Sequence, residues 1–147
     1  GRGCVARLSG ATVELLHLWV QLFLGGAPFV MEDGELLFRP VPALAGSLFT
    51  TQSQSVEPFG TEEALPAGSA VCTLWGTTLL VYLNPARRDT FGPGGVQPVG
   101  YVLHACDGST RAVDGRHLRV ADAEALRAGG YRRVDVLLGD EPRSMSC

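Results

Sequence analysis

The chain contains no lysine: all 12 of its basic residues are arginine, set against 15 acidic residues for a net charge of −3. That balance gives no reason to expect a nucleic-acid partner. Arginine in place of lysine is what a GC-rich genome encodes. Without lysine there is no phosphate-cradling G-x-x-x-x-G-K loop, and no G-x-S-x-G nucleophile turn occurs either. Cysteine is sparse. Cys4, Cys72, Cys106 and Cys147 include no C-x-x-C pair, so neither a zinc knuckle, nor a redox motif, nor a disulfide framework is expected. The three histidines, His17, His104 and His117, show no His-x-x-x-His spacing, and neither a metal nor a cofactor is expected.

Long uninterrupted apolar runs are also missing. Glu14, His17 and Gln21 break the most hydrophobic stretch, so a membrane span is not expected. No basic segment with a small-residue cleavage site marks a secretory signal. The expected location is a reducing cytoplasm. Hydrophobic residues make up 46% of the 147 and charged residues 18%. This is the composition of a globular chain able to bury a core.

The most strongly patterned stretch is residues 9–26. Ser9 and Thr12 are candidate N-caps, residues 13–24 are apolar nearly all round, and Gly25, Gly26 and Pro28 stop the helix. Such a helix is expected to be buried within a larger structure. Glu14, His17 and Gln21 share one face of it, either as a solvated stripe or facing a wet cavity. The first residue is Gly1 and the first methionine Met31, which leads us to expect a piece of a longer protein.

Beyond the helix the chain reads as strands and turns. Asp33-Gly34 is a turn signal, residues 35–39 a short strand, and Pro40 and Pro42 end it. Residues 47–66 read as a polar surface excursion. Residues 69–83 carry the clearest β signal, a hairpin turning near Gly76, whose second strand is apolar on both faces and so central. Residues 96–105, 111–113, 117–120 and 131–138 read as further strands, with Val134, Val136 and Leu138 pointing inward. A short helix over residues 122–128 is expected to be capped by Asp122 and ended by Gly129-Gly130. The pattern predicts a mainly β fold, an antiparallel β-sandwich preceded by one buried α-helix. Residues 1–30 would form the last helix of a truncated helical domain, 31–140 the sandwich, and 141–147 a loose tail.

No catalytic residue stands out. Glu62-Glu63 and Asp140-Glu141 read as solvated loop charges, and Asp89 as a local ion pair with Arg87 and Arg88. The expected binding residues are Arg7, Ser9, Gly10 and Thr12. A helix N-terminus offers free amides and a partial positive charge to anions and polar ligands, and Gly10 would let a ligand approach the backbone.

The order of features resembles the C-terminal end of cellobiose-phosphorylase-type and related glycoside-processing enzymes. The residues that carry it are Ser9-Gly10-Ala11-Thr12 opening an apolar helix, Asp33-Gly34 leading into a strand ended by Pro40-Val41-Pro42, Trp75-Gly76 in a hairpin, and Asn84-Pro85 after it. The resemblance covers residues 9–114. It implies an (α/α)6 helical barrel followed by a β-domain, an oligosaccharide substrate, a missing N-terminal helical domain as partner, and a catalytic carboxylate outside this chain. The family's Thr-Gly-Ser loop helps hold phosphate. Here Ala11 replaces the third-position hydroxyl, so hydrolysis fits at least as well as phosphorolysis. The alternative is a free-standing β-sandwich that binds carbohydrate or protein, with Trp75 and Tyr82 as a stacking platform.

Overall fold

The computed structural model describes the backbone of residues 5–140 and the side chains of residues 10–140. Cys4 and the expected tail over 141–147 lie outside the described residues, as do the side chains of Arg7 and Ser9. Helix α1 (Val5–Leu24) is followed by strands β1 (Phe29–Glu32) and β2 (Glu35–Phe38), a 3-10 turn at Gly46–Leu48, and strands β3 (Gln54–Val56) and β4 (Glu63–Leu65). Then come β5 (Ser69–Leu74), β6 (Thr78–Leu83), β7 (Gln97–Ala105), β8 (Thr110–Asp114), helix α2 (Val120–Arg127) and β9 (Tyr131–Gly139). The fold is mainly β. β1 and β2 form one hairpin, β3 and β4 another, and the remaining five strands a single sheet ordered β5-β6-β9-β7-β8.

An all-antiparallel arrangement is corrected at one place. β6 and β9 run parallel, with Val81 opposite Asp135 and Tyr82 opposite Val136. The chain leaves β6, makes the β7–β8 hairpin and α2, and returns to insert β9 between β6 and β7. A parallel neighbour needs such a long crossover. β6 is apolar on both faces for this reason. Leu80 and Tyr82 face one side with Val134, Val136, Tyr101 and Leu103, while Leu79 and Val81 face the other and pack with Leu65 of β4.

The larger core is closed by Phe38, Leu44 and Phe49 and by Ala123 and Leu126 of α2. α2 begins at Val120 with Arg119 at its N-cap and no side-chain cap bond. Asp122 sits inside the first turn, where it complements the helix dipole and accepts from Arg111 and the Tyr131 hydroxyl. The expected cap at Asp122 and the expected strand over 117–120 are thereby corrected. Only a single bridge, Phe38 to Leu118, remains of that strand. At the other end Gly130 donates to the Ala125 carbonyl (2.8 Å) and Gly129 to that of Leu126 (3.1 Å). These two bonds close α2 in a Schellman motif.

Two turns need left-handed backbone. Asp33 and Gly34 have φ of 51° and 82°, and Trp75 and Gly76 have 48° and 68°. Positive φ at both central positions is the pattern that matches strand twist in tight hairpins. The first makes a strand of residues 29–32, which the sequence left as a connection. The polar excursion over 47–66 contains the β3–β4 hairpin, and Phe49 and Leu65 within it are buried.

Candidate functional site

α1 starts four residues before Ser9. Ala6, Arg7 and Leu8 are good helix formers and no proline intervenes, so the helix runs through the segment expected to be its opening loop. Ser9, Gly10 and Thr12 therefore lie within the helix, and their amides belong to its hydrogen-bonding ladder. This corrects the expected start of the helix at residues 9–12. A Cβ at Gly10 would meet nothing within 4 Å, so the glycine is not enforced by packing in this chain.

The helix is also not buried within the chain. Residues 10–22 are exposed, among them Val13, Leu15, Leu16, Leu18 and Trp19, each more than half accessible. Its C-terminal turn is what anchors it. Phe23 is 8% exposed and stacks on Trp19 at 5.4 Å. The Tyr82 hydroxyl donates to the Phe23 carbonyl, a group that the helix end leaves without an internal partner. The chain then doubles back: Ala43 donates to the Leu22 carbonyl at 2.7 Å and Val41 to that of Leu24 at 3.2 Å.

Two apolar grooves flank α1 where it crosses β5. One, about 390 Å³, is walled by Leu16, Val20 and Leu24 on the helix and Val71, Cys72 and Thr73 on the strand. The other, about 330 Å³, runs between Trp19 and Leu22 on one side and Leu48, Leu65 and Ala70 on the other. Burial pushes the Cys72 thiol up to about 12, so it sits there as a neutral, apolar group. On the far side of the helix His17 and Gln21 are 3.3 Å apart, side chain to side chain.

The opposite face of the sheet carries a charge network that the sequence reading did not single out. The Arg133 guanidinium contacts Asp135 (2.7 Å), Glu63 (3.1 Å) and the Ala64 carbonyl (2.9 Å). Arg132 pairs with the other oxygen of Glu63, and His104 Nε2 lies 3.0 Å from the second oxygen of Asp135. Burial works against the charge on Arg133, but the Asp135 and Glu63 contacts outweigh it and hold the group above the ordinary arginine value. Each carboxylate oxygen of Asp135 and Glu63 is taken by a partner within the chain. The array fastens the β3–β4 hairpin to β9 and leaves no carboxylate poised for acid–base chemistry. Glu63 is thus not a solvated loop charge. Its signal was Arg133-x-Asp135, two charges on one face of a strand whose other face is Val134 and Val136.

Asp89 likewise is not paired with Arg87 or Arg88. It accepts from the Gly46 amide at 2.7 Å, while Arg87 donates to the Phe49 carbonyl (3.1 Å) and Arg88 pairs with Asp140 (2.7 Å). A polar pocket of about 270 Å³ lies between the β8 end and α2, with His117, Arg119, Asp114 and Asp122 on its walls. Among the described residues no group of three His, Cys, Asp or Glu side chains converges to hold a metal ion, and no helix is long and apolar enough to cross a membrane. Tyr82 is fully buried and Trp75 is 58% exposed on its hairpin turn, against Phe29 at 5.2 Å. The two rings do not form a shared platform.

Neither a protein-family model nor a curated protein matches the chain.

Proposed function

We propose that the chain is the C-terminal, non-catalytic portion of a carbohydrate-active enzyme acting on glycosidic bonds, of glycoside hydrolase or phosphorylase type. Its β-domain supports a catalytic helical barrel, and α1 is the helix that joins the two. The observation that carries this reading is the contrast between α1 and the rest. The β-domain fills its own core, while α1 presents an apolar surface that water disfavours between Val13 and Leu22. The order of turns and strands that resembles these enzymes supplies the substrate class. The two hairpins laid against the main sheet are read as a sandwich-like version of the family's β-domain. In this reading Arg7, Ser9, Gly10 and Thr12, all in the first half of α1, remain the substrate-contacting residues at the rim of the sugar site. The enzyme works in the cytoplasm on an oligosaccharide.

The test is expression of a longer reading frame that includes the upstream sequence, assayed on β-linked disaccharides with and without inorganic phosphate. Turnover by the longer protein and none by residues 1–147 is the expected result. Turnover by residues 1–147 alone, or an upstream sequence without amphipathic helix pairs, overturns the proposal.

The second reading, a free-standing carbohydrate- or protein-binding β-module, draws on one observation, the exposed face of Trp75. A Trp75→Ala chain that keeps its fold and loses binding to immobilised glycans favours it.

A further inference from the structure

We infer that the pocket between the end of β8 and the start of α2 binds one neutral, polyhydroxylated ring, a monosaccharide unit. No residue of α1 lines it, so the inference goes beyond the reading of the chain as part of an enzyme and does not rest on it. The pocket measures about 270 Å³, below the ~300–1,000 Å³ of sites for drug-sized ligands, which suits a single ring. Its walls hold Asp114, His117, Arg119 and Asp122. Among the described residues, the side chains of Asp114, His117 and Arg119 have no hydrogen bond or ion pair. Asp122 is engaged by Arg111 and by the Tyr131 hydroxyl, but both contacts fall on Oδ1, and Oδ2 is left over. The network of Glu63, Arg133, Asp135 and His104 is the opposite case, since every carboxylate oxygen there is paired.

The segment that carries these groups is fixed by its backbone and not by its side chains. The Gly115 amide donates to the Val99 carbonyl at 3.0 Å, and the Tyr101 hydroxyl donates to the Arg116 carbonyl at 2.7 Å. Phe38 and Leu118 exchange two backbone bonds of 2.9 Å, and the Arg119 carbonyl accepts from the amides of Asp122 and Ala123 at 3.0 and 2.9 Å. Residues 115–119 are thereby held in one shape, and a ligand has little backbone left to order. Charge decides the ligand class. With Arg111 on Asp122, two carboxylates stand against two guanidinium groups and the fixed charges cancel. A phosphate or a carboxylate would meet Asp114 and Asp122, and an ammonium would meet Arg119. A hydroxyl both donates and accepts. Neighbouring hydroxyls on one ring can therefore donate to Asp114 and to Asp122 Oδ2 while accepting from Arg119, with His117 able to serve in either sense. Hydrogen bonds to such charged groups are the stronger kind.

The probes are glucose, galactose and mannose, with glycine and inorganic phosphate as charged counterparts. Each is titrated into isotope-labelled residues 1–147 and followed by backbone amide shifts. At least one hexose should perturb residues 113–122 with a millimolar dissociation constant, the range open to so small a ligand. Asp114→Asn and Arg119→Gln should each weaken that binding at least tenfold. Both side chains are exposed, and an unchanged thermal melt checks that the fold survives. Trp75→Ala, on its distant hairpin turn in the sequence, should leave the binding intact. Absence of hexose shifts at tens of millimolar, binding of glycine or phosphate in place of the hexoses, shifts that survive both pocket substitutions, or loss of binding with Trp75→Ala each overturns the inference.

Discussion

The hydroxyl of Tyr82, in the interior of the sheet, donates to the carbonyl oxygen of Phe23 in the last turn of α1. One hydrogen bond thus joins the protruding helix to the most buried strand. Burial raises the Tyr82 hydroxyl well above its ordinary pKa, and the neighbouring Cys72 and Tyr101 add to this, so it stays protonated and able to donate. Tyr82→Phe keeps the ring and leaves a helix-end carbonyl unpaired. We expect a loss of about 1–2 kcal/mol, read as a lower urea midpoint, with faster amide exchange concentrated at residues 21–25. An unchanged midpoint would mean that water replaces the bond at no cost.

Arg133 holds Asp135 and Glu63 together in a nearly closed site. Arg133→Met leaves Glu63 with Arg132 alone and Asp135 with His104 alone, and should cost about 2–3 kcal/mol, at or below the low end of the ~3–5 kcal/mol for breaking a buried pair outright. Replacing Arg133 and Asp135 together with leucine should recover most of that loss. A double-mutant cycle in urea measures the coupling, and additive losses would show that the contacts do not act as a unit.

The Cys72 thiol has its pKa raised by burial from 9.0 to about 12. Between those values the unfolded chain gives up the proton and the folded one keeps it. Folding stability from this group is therefore full below pH 9 and falls as pH rises toward 12, with a slope of at most about 1.4 kcal/mol per pH unit. Cys72→Ala should flatten that part of the stability profile. At pH 8 a maleimide should label the exposed Cys106 and spare Cys72, as peptide mapping would reveal.

Gly46 has no left-handed backbone, yet a Cβ there would fall 2.0 Å from the Arg87 carbonyl oxygen. Backbone cannot rotate away as a side chain can. Gly46→Ala should cost 3 kcal/mol or more, at or beyond the upper end of the ~1–3 kcal/mol usual for overpacking. Gly34→Ala, in open space at φ of 82°, should cost only about 1–2 kcal/mol of conformational strain. Thermal melts of the two variants separate steric from conformational cost, and equal shifts would refute the distinction.

Local chemistry was readable where it decides the outcome locally. The turns at Asp33-Gly34 and Gly76, the stop at Gly129-Gly130 and the inward set Val134, Val136 and Leu138 all follow from backbone freedom and side-chain alternation. The parallel partnership of β6 and β9 was not readable, because strand direction depends on where a crossover of some fifty residues returns, and no short window carries that. The start of α1 was misread because Ser9-Gly10 looks like a cap, although Ala6, Arg7 and Leu8 before it favour helix. The charge network was missed because its members come from β4, β7 and β9, far apart in sequence. Each alone reads as an ordinary surface charge.

The position of β9 has a consequence for biosynthesis. The strand that joins β6 to β7 is the last of the nine strands among the described residues to leave the ribosome. Until it does, the β5–β6 and β7–β8 hairpins have no common neighbour, and two-stranded hairpins are marginal on their own. The sheet cannot close progressively during synthesis and must assemble in one late event dominated by long-range pairing, which slows folding. Meanwhile the apolar edges of β6 and β7 and the whole of α1 stay bare, the condition under which nascent chains need chaperones. A ribosome stalled before Tyr131 should hold a protease-sensitive chain, and one stalled far enough past Gly139 for β9 to clear the exit tunnel should hold a resistant one.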